Sequence, residues 1–74
     1  MTHQLRFAAD CELDLQIHGK PRLEKVKLRA GEVIAAQVRP YVKEMAEGPV
    51  EFADLHLGHE GTLLAVRMEC FTFE

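Results

Sequence analysis

From Leu5 to Ile17 every odd position is apolar: Leu5, Phe7, Ala9, Cys11, Leu13, Leu15 and Ile17. The even positions between them include Arg6, Asp10, Glu12, Asp14 and Gln16. Strict period-two alternation specifies extended chain with one buried and one wet face. The run is longer than the about 5–6 residues typical of a strand, so a break is expected near Ala8–Ala9. His18-Gly19-Lys20-Pro21 supplies turn chemistry. A second alternating run follows, with Leu23, Val26 and Leu28 apolar and Lys25, Lys27 and Arg29 charged.

Two hairpin registers bring these runs together. A four-residue loop from Gly19 to Arg22 sets Leu15 against Val26, Leu13 against Leu28, Asp14 against Lys27 and Glu12 against Arg29. A two-residue turn at Gly19-Lys20 pairs Asp14 with Lys25 and Glu12 with Lys27, but it sets Leu15 against Glu24 and brings Pro21 into the ladder. Cross-strand matching and the missing proline donor favour the longer loop.

Residues 33–47 are ambiguous. Ile34, Val38, Tyr41, Val42 and Met45 have helical spacing, yet a single helix would carry Pro40 in its interior. The preferred reading is a strand from Glu32 to Val38, then a short helix from Pro40 to Glu47 ended by Gly48-Pro49. The last third reads as a hairpin, with residues 50–57 and 62–74 flanking Gly58-His59-Glu60-Gly61. A phase change around Ala53-Asp54 predicts a β-bulge. A second, before Phe71 and Phe73, predicts another bulge or a strand turning a corner. The fold expected is a mainly β domain over residues 1–74. It is a small bent sheet or open β-barrel of about five strands, with one short helix before the C-terminal hairpin. Small barrels of the SH3-like or OB type are a fold-level analogy, which does not fix function.

Length and composition agree with one folded domain: 74 residues, 47% apolar and 28% charged. A chain this short buries little core, so pairing with a second copy is a natural supplement. No apolar run reaches membrane-span length, and MTHQLRFAADCELD lacks a basic start followed by an apolar core, so a cytoplasmic protein is expected. The chain has no serine, asparagine or tryptophan, which excludes a serine nucleophile. Its two cysteines, Cys11 and Cys70, lie too far apart in sequence for a CxxC motif. They read as inward-facing small hydrophobes. A disulfide requires the fold to bring their Cα atoms within about 7 Å.

The net charge of -3 gives no global attraction to nucleic acid, but KPRLEKVKLR (20–29) holds five basic residues and one acid. Lys20, Arg22, Lys25 and Lys27 are therefore the candidate nucleic-acid or partner contacts. Asp54, His56 and His59 form the one metal-like cluster, without four evident ligands. A Cys70 thiol paired with His56 or His59 is the one nucleophile–base combination of this kind. No resident cofactor or catalytic residue is expected. The reading that results is a non-catalytic protein-interaction module, self-associating through an edge strand as a homodimer. A nucleic-acid-binding small barrel using the 20–29 stretch is the first alternative. A metal-binding domain at Asp54, His56 and His59 is the second.

Overall fold

The computed structural model covers residues 1–74. Seven strands form one antiparallel sheet: β1 (Thr2–Phe7), β2 (Cys11–Gln16), β3 (Leu23–Leu28), β4 (Val33–Met45), β5 (Gly48–His56), β6 (Thr62–Arg67) and β7 (Phe71–Phe73). Their order across the sheet is β3-β2-β6-β5-β4-β1-β7. The fold is mainly β, a curled half-barrel, with seven strands in place of about five. No helix is long and apolar enough to cross a membrane.

The strand order explains the curl. β1 and β2 are consecutive in sequence but separated in the sheet by β4, β5 and β6. In a flat sheet four strand spacings of about 4.8 Å would part them by roughly 19 Å. The link Ala8–Asp10 gives at most about 14 Å between Phe7 and Cys11. The sheet must therefore bend until its two sides approach. Hydrogen bonds fix the closure: Phe7 N–H donates to Glu32 O (2.9 Å), Gly31 N–H to Phe7 O (2.7 Å), and Ala30 N–H to Asp10 Oδ1 (2.8 Å). The break expected near Ala8–Ala9 is this link.

The bend has its own device at the centre. Between the pairs Ala53↔Val66 and Leu55↔Leu63, β5 contributes only Asp54 while β6 contributes Leu64 and Ala65. The extra residue of the bulge thus lies on β6, opposite the Asp54 position where the sequence pattern suggested a slip. Ala65 adopts φ +52°, and its N–H donates to Asp54 Oδ1 at 3.0 Å. Such a bulge raises local twist and bends the strand.

Leu5, Phe7, Leu28, Ala36, Ala53, Leu55, Leu63, Val66 and Phe71 form the core on the concave face. Phe52 is buried separately. Its register with Tyr41 places it on the opposite face, where Tyr41 stacks on it (5.9 Å, 15°) and Lys43 and Arg67 lie over the ring at 6.0 and 5.8 Å. The apparent phase change after Phe52 reflects apolar residues on both faces of β5.

Two expectations are corrected. No helix spans Pro40–Glu47, and residues 33–47 do not form one kinked helix. β4 continues through Pro40 to Met45 and turns at Ala46-Glu47 into β5. Pro40 is tolerated because β1 pairs with β4 only as far as Gln37, so beyond it β4 has a single neighbour and the proline sits on a local edge. The helical spacing divides between faces: Ile34 and Val38 pack on the core, and Tyr41 covers Phe52.

The β2–β3 hairpin also uses the register set aside above: Cys11↔Leu28, Leu13↔Val26, Asp14↔Lys25 and Leu15↔Glu24. A turn closed by Lys20 N–H to Ile17 O (3.0 Å) leaves Pro21 and Arg22 in a bend outside the ladder, so the proline objection does not arise. Leu15 does not need Val26, because β6 supplies Leu63 on its other side. Glu24, on the edge strand, reaches solvent. The final strand turns a corner at a 3-10 turn, Met68–Cys70, and β7 crosses to pair with β1.

Candidate functional site

The basic stretch is divided by the fold. Lys25 Nζ lies 2.7 Å from Asp14 Oδ1. That hydrogen bond and charge hold the Lys25 ammonium above its ordinary pKa. Lys27 stands opposite Glu12. Both acids cancel the potential a phosphate would need. Lys20 and Arg22 sit in the exposed turn before β3, and neither makes an ion pair.

The metal-like cluster does not assemble. Asp54 and His56 share the convex face of β5, but each is committed elsewhere. Asp54 accepts from Ala65 N–H, and it lies beside the Tyr41 hydroxyl, whose pKa it helps raise. His56 Nδ1 is 2.8 Å from Thr62 Oγ1. His59 lies exposed in the 3-10 turn Gly58–Glu60. Nowhere do three His, Cys, Asp or Glu side chains converge in a geometry that could hold a metal ion. Cys70 is no partner for these histidines; the side chain beside it is Cys11.

His56 instead divides two adjoining clefts of about 560 and 430 Å³ at one end of the half-barrel. Arg39 and Gln37 line the first, and His18, Lys20 and Gln16 the second. Neither cleft is lined by a carboxylate, although the chain carries 12 acids to 9 Lys and Arg. Arg39 makes no ion pair, although Asp54 stands opposite it across the β4–β5 ladder. The clefts are held together by a close approach of backbone. A Cβ at Gly61 would drive into the Gln16 carbonyl oxygen, and the φ of +121° also requires glycine. Arg39 was missed by sequence reasoning because the pattern of residues 33–47 was split between strand and helix. Only as a 13-residue strand does β4 bring Arg39 into the cleft wall beside His56.

The second candidate surface is the edge at β7. Ala8 N–H donates to Cys70 O (2.8 Å) and Glu74 N–H donates to Gln4 O (2.9 Å). In an antiparallel ladder hydrogen-bonded pairs recur at every second residue, so Arg6 and Thr72 form the bonded pair between them. The N–H and C=O groups of Phe71 and Phe73 therefore point away from β1, to a side where no strand lies. Phe71 is buried in the core, whereas Phe73 is 50% exposed, with its ring edge-on to His3 at 5.1 Å.

Comparison with family models, with curated proteins and with solved structures returns no match.

Tyr41 reports on the Asp54 clamp. Burial first, then the Asp54 charge and its hydrogen bond, push the Tyr41 phenol above its ordinary pKa. Tyr41 is the only tyrosine, so phenolate absorbance follows it directly. Its midpoint should exceed the about 10 of a free tyrosine, and Asp54→Ala should bring it down. A folded-state pKa above the unfolded value stabilises the fold fully below pH about 10. That contribution is lost as pH rises through the folded pKa, so stability should decline in strong alkali.

Proposed function

We propose that the protein is a non-catalytic interaction module that pairs with a second copy of itself through the β7 edge. The observation that carries this reading is the outward-facing backbone of Phe71 and Phe73 beside a half-exposed phenylalanine ring. Two-fold antiparallel pairing centred on Thr72 sets Thr72 against Thr72 and Phe71 against Phe73 twice. Aromatic and threonine pairs are the stabilising kinds across strands. The residues that oppose each other there are also those whose backbone groups are free. The segment Phe71–Phe73 has no charge and no proline to blunt the edge.

The opposite edge argues for β7 by contrast. Two-fold pairing keeps each face of the sheet on one side. Centred on Glu24, Lys25 or Lys27, β3 sets that residue against itself. Centred on Val26, it sets Lys25 against Lys27. Each register opposes like charges, which is how an edge strand is protected from its own copies.

Sedimentation of the full chain over a range of concentrations should show a monomer–dimer equilibrium. Thr72→Lys places two lysines at the two-fold centre while altering only an exposed side chain of the monomer. It should weaken the dimer by about tenfold or more. A monomer at every concentration, or a dimer indifferent to T72K, contradicts the reading.

A second reading, binding to a nucleic-acid backbone, is favoured by one observation: the clefts around His56 carry Arg39, His18 and Lys20 and are lined by no carboxylate. It moves the contact from the 20–29 stretch to the end of the half-barrel. Single-stranded oligonucleotide should then bind at low salt and be released as salt rises. The Lys20→Glu, Arg39→Glu double variant should abolish binding, while Lys25→Glu should leave most of it. No low-salt binding, or equal losses from both variants, ends this reading.

A further inference from the structure

Cys11 and Cys70 are the only cysteines, and 59 positions separate them. The curl brings them to one place. Cys11 opens β2 directly after the Ala8–Asp10 link, and Cys70 ends the corner before β7. Both are tied to that link. Ala8 N–H donates to Cys70 O at 2.8 Å, and the Cys11 thiol donates to Ala9 O at 3.4 Å. Both side chains pack against the rim of the core, half-buried and not in a disulfide. The Cys70 thiol neighbours Cys11 closely enough to help raise its pKa. No second pair of this kind exists in the chain, and neither thiol serves the β7 edge pairing or the clefts at His56.

We propose that Cys11 and Cys70 form a site of reversible oxidation, closing an intramolecular disulfide that staples the start of β2 to the corner before β7. With a hydroperoxide as oxidant the step balances. One thiolate sulfur attacks the peroxide oxygen and becomes a sulfenic acid, and the O–O bond breaks to release water or an alcohol. The second thiol then attacks the sulfenic sulfur, the S–S bond forms and water leaves. Two thiols are oxidised by two electrons, and one peroxide is reduced.

Burial, the neighbouring Cys70 thiol and the Asp10 carboxylate hold the Cys11 thiol above its ordinary pKa. It is therefore protonated and slow to react at neutral pH. Once closed, the bond constrains nearly the whole unfolded chain. In the chain-entropy account, stabilisation grows with the length of the loop enclosed.

The test is to treat the full-length protein with hydrogen peroxide and map the product by non-reducing peptide mass spectrometry. Both thiols should disappear together, the chain should lose two hydrogens, and one Cys11–Cys70 cross-linked peptide should appear within the monomer. The unfolding midpoint should rise by on the order of 10–20 °C and fall back on addition of a dithiol reductant. Cys11→Ser and Cys70→Ser should each abolish the reversible rise. Sulfinic acid on the two cysteines separately, disulfides only between chains, or a cross-link that leaves the midpoint unmoved would each overturn the proposal. The wild-type map decides the matter even if a serine variant folds poorly.

Discussion

The three-residue link Ala8–Asp10 constrains the whole structure. It joins two strands that a flat sheet would hold about 19 Å apart, more than the link can span. The sheet must therefore curl, and every other feature accommodates that requirement. The concave face becomes the core. The central β5–β6 pair carries the bulge that supplies the bend, and Asp54 pins it by accepting the Ala65 N–H. Asp54 thus has a structural duty, which explains why a residue that looks like a metal ligand in sequence is spent on holding an alanine at positive φ.

The curl also determines what is left over. A half-barrel has two edges that do not meet, β3 and β7. Their chemistry differs sharply. β3 alternates lysines with apolar residues and opposes like charges in every two-fold register with appreciable overlap. β7 is three uncharged residues with two aromatics and outward backbone groups. The same topology also redistributes the positive charge. Lys25 and Lys27 are neutralised by acids of β2. Lys20 and Arg39, from distant parts of the chain, end on either side of His56.

Much of the fold was legible because period-two alternation depends only on which residues face water. The break before Cys11, the hairpin around Gly58–Gly61 and the corner before Phe71 all left phase marks in the pattern, whereas the mark at Asp54 came from apolar residues on both faces of β5 and the bulge itself lies on β6. The hairpin register was misjudged because Leu15 was given a single neighbour. Its actual apolar partner, Leu63, lies on a strand 48 positions away. Residues 40–47 were misjudged because a proline and a helical spacing outweighed strand pattern. What settles them is tertiary: β1 pairs with β4 only as far as Gln37, and Phe52 needs Tyr41 as a cover. The clefts were illegible for a related reason. Arg39, His56 and Lys20 share no motif and meet only through strand order.

The central claim is that the curl leaves β7 as an unpaired edge ready to accept a second copy. Amide hydrogen exchange at single-residue resolution tests it most directly. In dilute protein the Thr72 amide, bonded to β1, should be protected, and the amides of Phe71 and Phe73 should exchange rapidly. As concentration rises, Phe71 and Phe73 should become protected together while Thr72 changes little. Protection of Phe71 and Phe73 at every concentration would mean that the chain covers this edge itself. Rapid exchange at every concentration would mean that no copy binds there. Either result contradicts the account.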